Sequence, residues 1–183
     1  HDLLDAELGA KRARAAALIT LALPGSAYIY QGDELGLPEA WNLPIDTLQD
    51  PIWHDSGNTV KGRDGCRVPI PWEPSGPSLG FGATAGWLPQ PPEFEPLAAA
   101  AQEGDPDSSL SLYRRAIAAR RTHLVGATEF QLLDGPAGVL MFRRGAGFVC
   151  VANMGDQPAA MPAGTVLLSS GQVSDDVLPA DTA

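Results

Sequence analysis

With 183 residues, 44% of them apolar, the chain is long enough for one packed domain or one and a half, and its composition excludes wholesale disorder. A formal net charge of -10 disfavours nucleic acid and anionic membrane surfaces as partners. The two cysteines, Cys66 and Cys150, form neither a disulfide framework nor a Cys-x-x-Cys metal spacing. There is no signal-like start and no apolar run of about 18 residues, so a soluble, cytoplasmic protein is expected. The first residue is His1 rather than Met, as expected of a fragment whose true N-terminus lies upstream.

Asp5 to Leu23 reads as a helix, rich in alanine, with a broad small-and-apolar surface around Ala13, Ala16, Ala17, Leu18, Leu21 and Ala22. Pro24-Gly25 stops it. His1-Asp2 reads as an ordinary stretch before this helix. Ala27 to Tyr30 follows at once. It is β-favouring and lacks polar alternation, which predicts a strand buried on both faces, as in a parallel sheet. Helix, tight turn and buried strand make half of an α/β unit.

From Leu37 to about Asp107 no periodicity persists. This long loop holds all four tryptophans, Trp41, Trp53, Trp72 and Trp87, and most of the prolines. A loop of such length inside a domain is normally functional. Its aromatics suit either a pocket wall or pins that hold the loop to the body. Ser108 to about Arg121 reads as a second helix, capped by Asp107 or Ser108, with Leu110, Tyr113 and Ile117 on its apolar face.

After His123 the texture changes to short β-like runs at 130–133, 139–142, 148–153 and 165–168, separated by Gly-containing turns. That spacing predicts antiparallel β. The expected division is therefore 1–122, an α/β part with a long loop at 37–107, and 123–183, an antiparallel β-domain. The tail from Asp175 is polar and predicts no terminal strand.

There is no phosphate loop, nucleophile elbow or clustered histidine set, so no cofactor, metal site or catalytic residue is assigned. What remains is Gln31, Asp33 and Glu34 at the strand end, and the run from Gly62 to Trp72. Residues at strand C-termini of an α/β barrel face its active site. Adjacent residues such as Asp33 and Glu34 point in different directions, so they do not readily flank one bond. Arg63-Asp64 suits either a local ion pair that shapes the loop or a group that binds vicinal hydroxyls. Arg67, two residues before Pro69, reads as a side chain fixed in position and aimed at a site.

Two of these stretches resemble a known family. Leu23-Pro24-Gly25-Ser26-Ala27-Tyr28-Ile29-Tyr30-Gln31-Gly32-Asp33-Glu34-Leu35-Gly36 is similar to the eighth-strand segment of the α-glucosidase and oligo-1,6-glucosidase branch of the α-amylase family, glycoside hydrolase family 13. Arg63-Asp64-Gly65-Cys66-Arg67-Val68-Pro69-Ile70-Pro71-Trp72 resembles that branch's Arg-Asp-x-x-Arg-Thr-Pro-Met-x-Trp motif. Gly80-Phe81 and Trp87-Leu88-Pro89 follow in order.

The resemblance implies the last strand and helix units of a (β/α)8 barrel followed by a small antiparallel β-sandwich. It implies retaining chemistry on terminal α-linked glucose through paired carboxylates. In the family those carboxylates precede the eighth strand, so the missing N-terminal barrel portion becomes an expected partner and this chain alone is expected to be inactive. Arg67, paired with an upstream aspartate, would bind hydroxyls of the non-reducing glucose of an α-linked gluco-oligosaccharide, with Arg63 and Asp64 shaping that wall. Gln31 and Glu34 would lie near the acceptor side, and Trp72 and Trp87 would anchor the loop. Two other readings stay open: a transglycosylating relative acting on trehalose or sucrose, and an inactive carbohydrate-binding or interaction fragment.

Overall fold

The computed structural model describes residues 5–174 and 176–183. His1, Asp2 and Asp175 lie outside the described residues. The chain forms two compact units: residues 30–110, and residues 1–29 together with 111–183.

In the second of these, helix α1 spans Ala6–Ala22. Asp5 caps it by accepting the Leu8 amide at 2.8 Å. Its buried residues lie on two sides of the helix: Ala15 and Ala22, seven apart, share one, and Ala17 and Leu21, four apart, share another. The helix ends at Leu23, where Pro24 and a left-handed Gly25 redirect the chain.

The predicted strand at 27–30 is not in a sheet. Residues 26–30 carry no regular structure, and Tyr28 is 88% exposed. A parallel strand needs backbone partners brought alongside by crossover connections. Among the described residues, both sheets are built from other segments.

Helix α4, Ser109–His123, follows the long central region; the short helices α2, Pro51–Asp55, and α3, Ala99–Gln102, lie within that region. The expected α4 face is displaced. Leu112 and Ala116 are the fully buried pair, and Leu110, Tyr113 and Ile117 flank them half-buried.

Strands β1, Phe130–Leu133, β2, Val139–Arg144, and β3, Phe148–Asn153, form an antiparallel sheet in the order β1-β2-β3. Phe142 and Cys150 pair across β2 and β3 and pack with Ala22 and Ile19 of α1 into one core. Three of the four predicted strands are therefore present. The fourth, 165–168, is irregular, with Val166 and Leu167 half exposed. A second small sheet forms instead from β4, Ala159–Ala160, and β5, Val177–Leu178, of which β5 lies inside the tail read as strandless. Apolar content marked 165–168 as β, but the tail's backbone pairing decides the ladder. Asn153 and Thr182 bridge, and the buried Asn153 amide bonds the carbonyls of Gln157 and Leu178.

Two arginines finish the α1 C-terminus. Arg120 of α4 donates to the carbonyls of Leu21, Leu23 and Gly25. Arg144 of β2 donates to those of Ala22 at 3.0 Å, Leu23 at 3.1 Å and Ala127 at 2.6 Å. Cations at a helix C-terminus satisfy its orphan carbonyls and oppose its dipole. Burial, and then the charge of Arg120, draw the Arg144 pKa down from its ordinary value.

The unit 30–110 contains the stretch expected to lack structure. It is built of short helical turns around its own core of Ala40, Leu43, Leu48, Trp53, Val68, Leu79, Leu88 and Phe94. Short turns give no long period, so the apolar residues that fill this core are not legible as elements.

Candidate functional site

The turn after the extended segment is self-contained. Asp33–Leu35 forms one 3-10 turn between left-handed Gly32 and Gly36. Asp33 Oδ2 accepts the Tyr30 amide at 3.0 Å, and Glu34 Oε2 accepts the Gly32 amide at 2.9 Å. Both carboxylates therefore hold their own turn. Leu35 is buried beneath it, and its carbonyl accepts the side-chain amide of Gln102 at 2.9 Å. Gln102 is itself buried, donates to Leu97 O at 2.8 Å, and accepts the Leu110 amide at 3.0 Å. Gln31 is exposed.

The second group lies in the loop. Asp50 precedes Pro51 and caps α2, its Oδ1 accepting the Ile52 amide at 3.1 Å. Its Oδ2 meets Arg67 Nη1 at 2.9 Å, the Arg63 amide at 3.2 Å and Arg63 Nε at 3.5 Å. Asp64 Oδ2 accepts the amides of Gln49 at 2.7 Å and Asp50 at 2.8 Å, while Oδ1 meets Arg67 Nη1 at 3.2 Å. Asp50 and Asp64 are 3% and 2% exposed, whereas the Arg63 side chain is 76% exposed, so the carboxylate ends of these pairs are dehydrated and the Arg63 end is solvated. Two left-over positive charges on two buried carboxylates leave the group neutral, as burial demands.

The amide of Ile52, followed by that of Arg63 and the charges of Arg67 and Arg63, holds the Asp50 carboxyl below its usual range despite burial. Burial draws the Arg67 pKa down, but Asp50 and Asp64 outweigh it and the net shift is upward. Arg67 is thus a fixed cation. Gly62 makes this closeness possible. At φ 73° it is left-handed, and a Cβ there would lie 2.6 Å from Asp50.

Gln49, Asp64, Arg67, Pro69, Trp87 and Leu88 line an open pocket of about 360 Å³. The Arg67 side chain is 39% exposed, and Trp87 is half exposed. Of the four tryptophans only Trp53 is buried. Trp72 anchors the loop through its backbone, its amide bonding Leu79 O at 2.8 Å and its carbonyl accepting the Ala100 amide at 2.9 Å, while its ring stays half exposed.

The structure thus brings Arg63, Asp64 and Arg67 together. No recorded hydrogen bond or ion pair among the described residues joins Gln31 or Glu34 to them. The Arg63-Asp64 ion pair weighed from sequence is exchanged: Arg63 pairs with Asp50, and Asp64 with Arg67. Asp50 was missed. Its Asp-Pro signature marks a helix start, but nothing local announces two arginines 13 and 17 residues downstream.

Known proteins share this arrangement of sequence. The family described as alpha amylase, catalytic domain, matches residues 4–127, and a domain of unknown function (DUF3459) matches residues 112–183. A probable alpha-glucosidase of Rhizobium meliloti (strain 1021) is 40% identical over 151 residues, covering 80% of this chain and 27% of that protein. A salivary alpha-glucosidase of Anopheles gambiae is 30% identical, covering 92% of this chain and 30% of the relative.

Among solved structures, the alpha-glucosyl transfer enzyme XgtA superposes with a TM-score of 0.76 at 33% identity, over 93% of this chain and 34% of XgtA. Trehalulose synthase MutB from Pseudomonas mesoacidophila MX-45 gives 0.75 at 25% identity, over 94% of this chain and 36% of MutB. The chain spans about a quarter to a third of the length of these relatives. Its fold is the closing helix, strand segment and helix of a (β/α)8 barrel, followed by a small antiparallel β-region. The chain belongs to the α-amylase family, glycoside hydrolase family 13.

Proposed function

We propose that this chain supplies one wall of the substrate pocket of a retaining α-glucosidase-type enzyme that releases terminal α-linked glucose from oligosaccharides. The catalytic carboxylates lie on the parts of the relatives' fold that this chain does not span, so the barrel portion carrying them is its necessary partner. The names of the relatives and the likeness of residues 23–36 and 63–72 to the branch's motifs support this reading.

One observation carries the assignment within the site: Arg67 is clamped between two buried carboxylates yet keeps part of its side chain open to a pocket. A rigid guanidinium with spare donors suits the hydroxyls of a bound glucose. Arg63 and Asp64 shape that wall, and Gln31 and Glu34 contribute on the acceptor side. The catalytic part extends to residue 122 and the β-domain from 123, a division supported by the overlap of the two family matches at 112–127. A cytoplasmic location is proposed with it. Among the described residues, no helix is long and apolar enough to cross a membrane.

The test is steady-state kinetics of the full-length enzyme and its Arg67→Ala variant on p-nitrophenyl α-glucoside and maltose. Loss of kcat/KM by about 30- to 100-fold is expected for lost charged hydrogen bonds of about 2–3 kcal/mol. An unchanged kcat/KM refutes the assignment.

A second reading has its own support, since XgtA and MutB are named as transfer and synthase enzymes. Chromatography of products from concentrated maltose or sucrose decides between them: new disaccharides or longer oligosaccharides in place of glucose mark transfer. If neither substrate is turned over by the full-length protein, the chain belongs to an inactive binding or interaction protein.

A further inference from the structure

Every recorded contact of the Arg67 guanidinium runs through a single nitrogen. Nη1 meets Asp50 Oδ2 at 2.9 Å and Asp64 Oδ1 at 3.2 Å, and no recorded contact among the described residues involves Nη2 or Nε. The two carboxylates differ in what else they do. Asp64 spends Oδ2 on two backbone amides, so its first duty is the fold of the 49–50 segment. Asp50 is the closer partner of Nη1, and the same Oδ2 gathers Arg63 through amide and side chain.

The Asp50 backbone is held by Asp64, and its carboxylate accepts the amides of Ile52 and Arg63. It therefore cannot follow Arg67 if that side chain moves. Two fixed anions on one nitrogen of a planar cation restrain that end of it and leave the other donors for a ligand.

We propose that Asp50 is a positioning residue that locks the Arg67 guanidinium through Nη1, so that Nη2 and Nε face the sugar hydroxyls. This rests on the assignment of Arg67 as a sugar-binding group. Asp50 does not touch substrate. It lowers the cost of binding because the arginine is ordered before the sugar arrives, and an unlocked side chain has to be ordered at that moment. A purely structural Asp50 would give a different pattern, since its loss would weaken the loop whether or not Arg67 is present.

A double-mutant cycle in the full-length enzyme separates the two. Asp50→Asn, Arg67→Ala and the pair are assayed on p-nitrophenyl α-glucoside alongside thermal melting. Asp50→Asn is expected to lower kcat/KM about tenfold, mainly through KM, and to change it less than about twofold once Arg67 is already alanine. A tenfold loss in both backgrounds overturns the proposal, as does an unaffected Asp50→Asn enzyme. If Asp50→Asn does not fold, Asp50→Ser replaces it in the same cycle, because its hydroxyl can still cap the Ile52 amide without charge beside Arg67. An Arg67→Ala enzyme with unchanged kcat/KM overturns the sugar-binding reading itself, an outcome distinct from the additive pattern.

Discussion

Replacing Arg144 by Met tests whether the arginine clamp on α1 stabilises the fold. Arg144 is 5% exposed and makes three hydrogen bonds, to Ala22, Leu23 and Ala127. Leu23 O keeps Arg120 as a donor, so Met strands two carbonyls, those of Ala22 and Ala127. Each costs about 1–3 kcal/mol, or about 2–6 kcal/mol together. Against this stands relief. No carboxylate pairs with Arg144 among the described residues, Arg120 lies beside it, and its Nε has no hydrogen-bond partner.

Removing a buried, uncompensated cation returns several kcal/mol, and Met fills much of the volume of the stem. The carbonyl term wins because two carbonyls lose a charged donor at once, and a net loss of about 2 kcal/mol is expected. At 1.4 kcal/mol per factor of ten, this is roughly 30-fold in a local opening equilibrium. The assay is hydrogen exchange with mass spectrometry on the full-length protein. Peptides covering the last turn of α1 and residues 124–128 exchange about 30-fold faster, while peptides from 40–97 do not change. Slower or equal exchange in the α1 peptide refutes the reasoning and shows that desolvation of the cation dominates.

Gly62→Ala combines a left-handed backbone with a Cβ 2.6 Å from Asp50. A cost of about 2–4 kcal/mol is expected, read as a lower melting temperature together with a raised KM. Gln102→Leu leaves the carbonyls of Leu35 and Leu97 and the amide of Leu110 without their partner, and is expected to cost about 2–4 kcal/mol in a denaturant titration. Burial pushes the Cys150 thiol up to about 12, whereas Cys66 is exposed. Iodoacetamide at pH 8 is therefore expected to label Cys66 and spare Cys150 in peptide maps of the native protein, with Cys150 labelled only in denaturant.

The pH dependence follows from Asp50. Its folded pKa lies below its unfolded one, so its stabilising contribution is complete above the ordinary carboxylate range and is lost as pH falls through the lowered folded value. Exchange of the 49–67 peptides is expected to rise only in that acidic window, and a rise already near neutrality contradicts this.

Long-range order was legible where one residue type repeats or a stop signal is strong. The alanine-rich surface and Pro24-Gly25 gave α1, and short β-like runs between glycine-containing turns gave β1, β2 and β3. Tyr28 to Tyr30 reads as a buried strand because its composition is fitted to neighbours this chain does not contain, which is why Tyr28 stands exposed. Composition also misled at Val166 and Leu167, which belong to no strand, whereas Val177 and Leu178 of the tail pair with Ala160 and Ala159.

At the site, Arg67, Arg63 and Asp64 announced themselves by clustering within five residues. Asp50 did not, because its role depends on Gly62 bringing two turns within van der Waals range, a tertiary fact with no local period. The core of 30–110 stayed hidden for a related reason: its residues come from turns too short to show one face twice.

The two arginines on α1 also set a timetable. The carbonyls that end the helix are made long before their donors, which follow 99 and 122 residues later. At a ribosomal rate of about 5–20 residues per second, the second donor arrives roughly 6 to 24 s after the first carbonyl. During that interval the end of α1 leaves the ribosome without its full set of donors. A chain terminated between 123 and 144 carries Arg120 but lacks Arg144, so the carbonyls of Leu21, Leu23 and Gly25 have their donor while that of Ala22 does not.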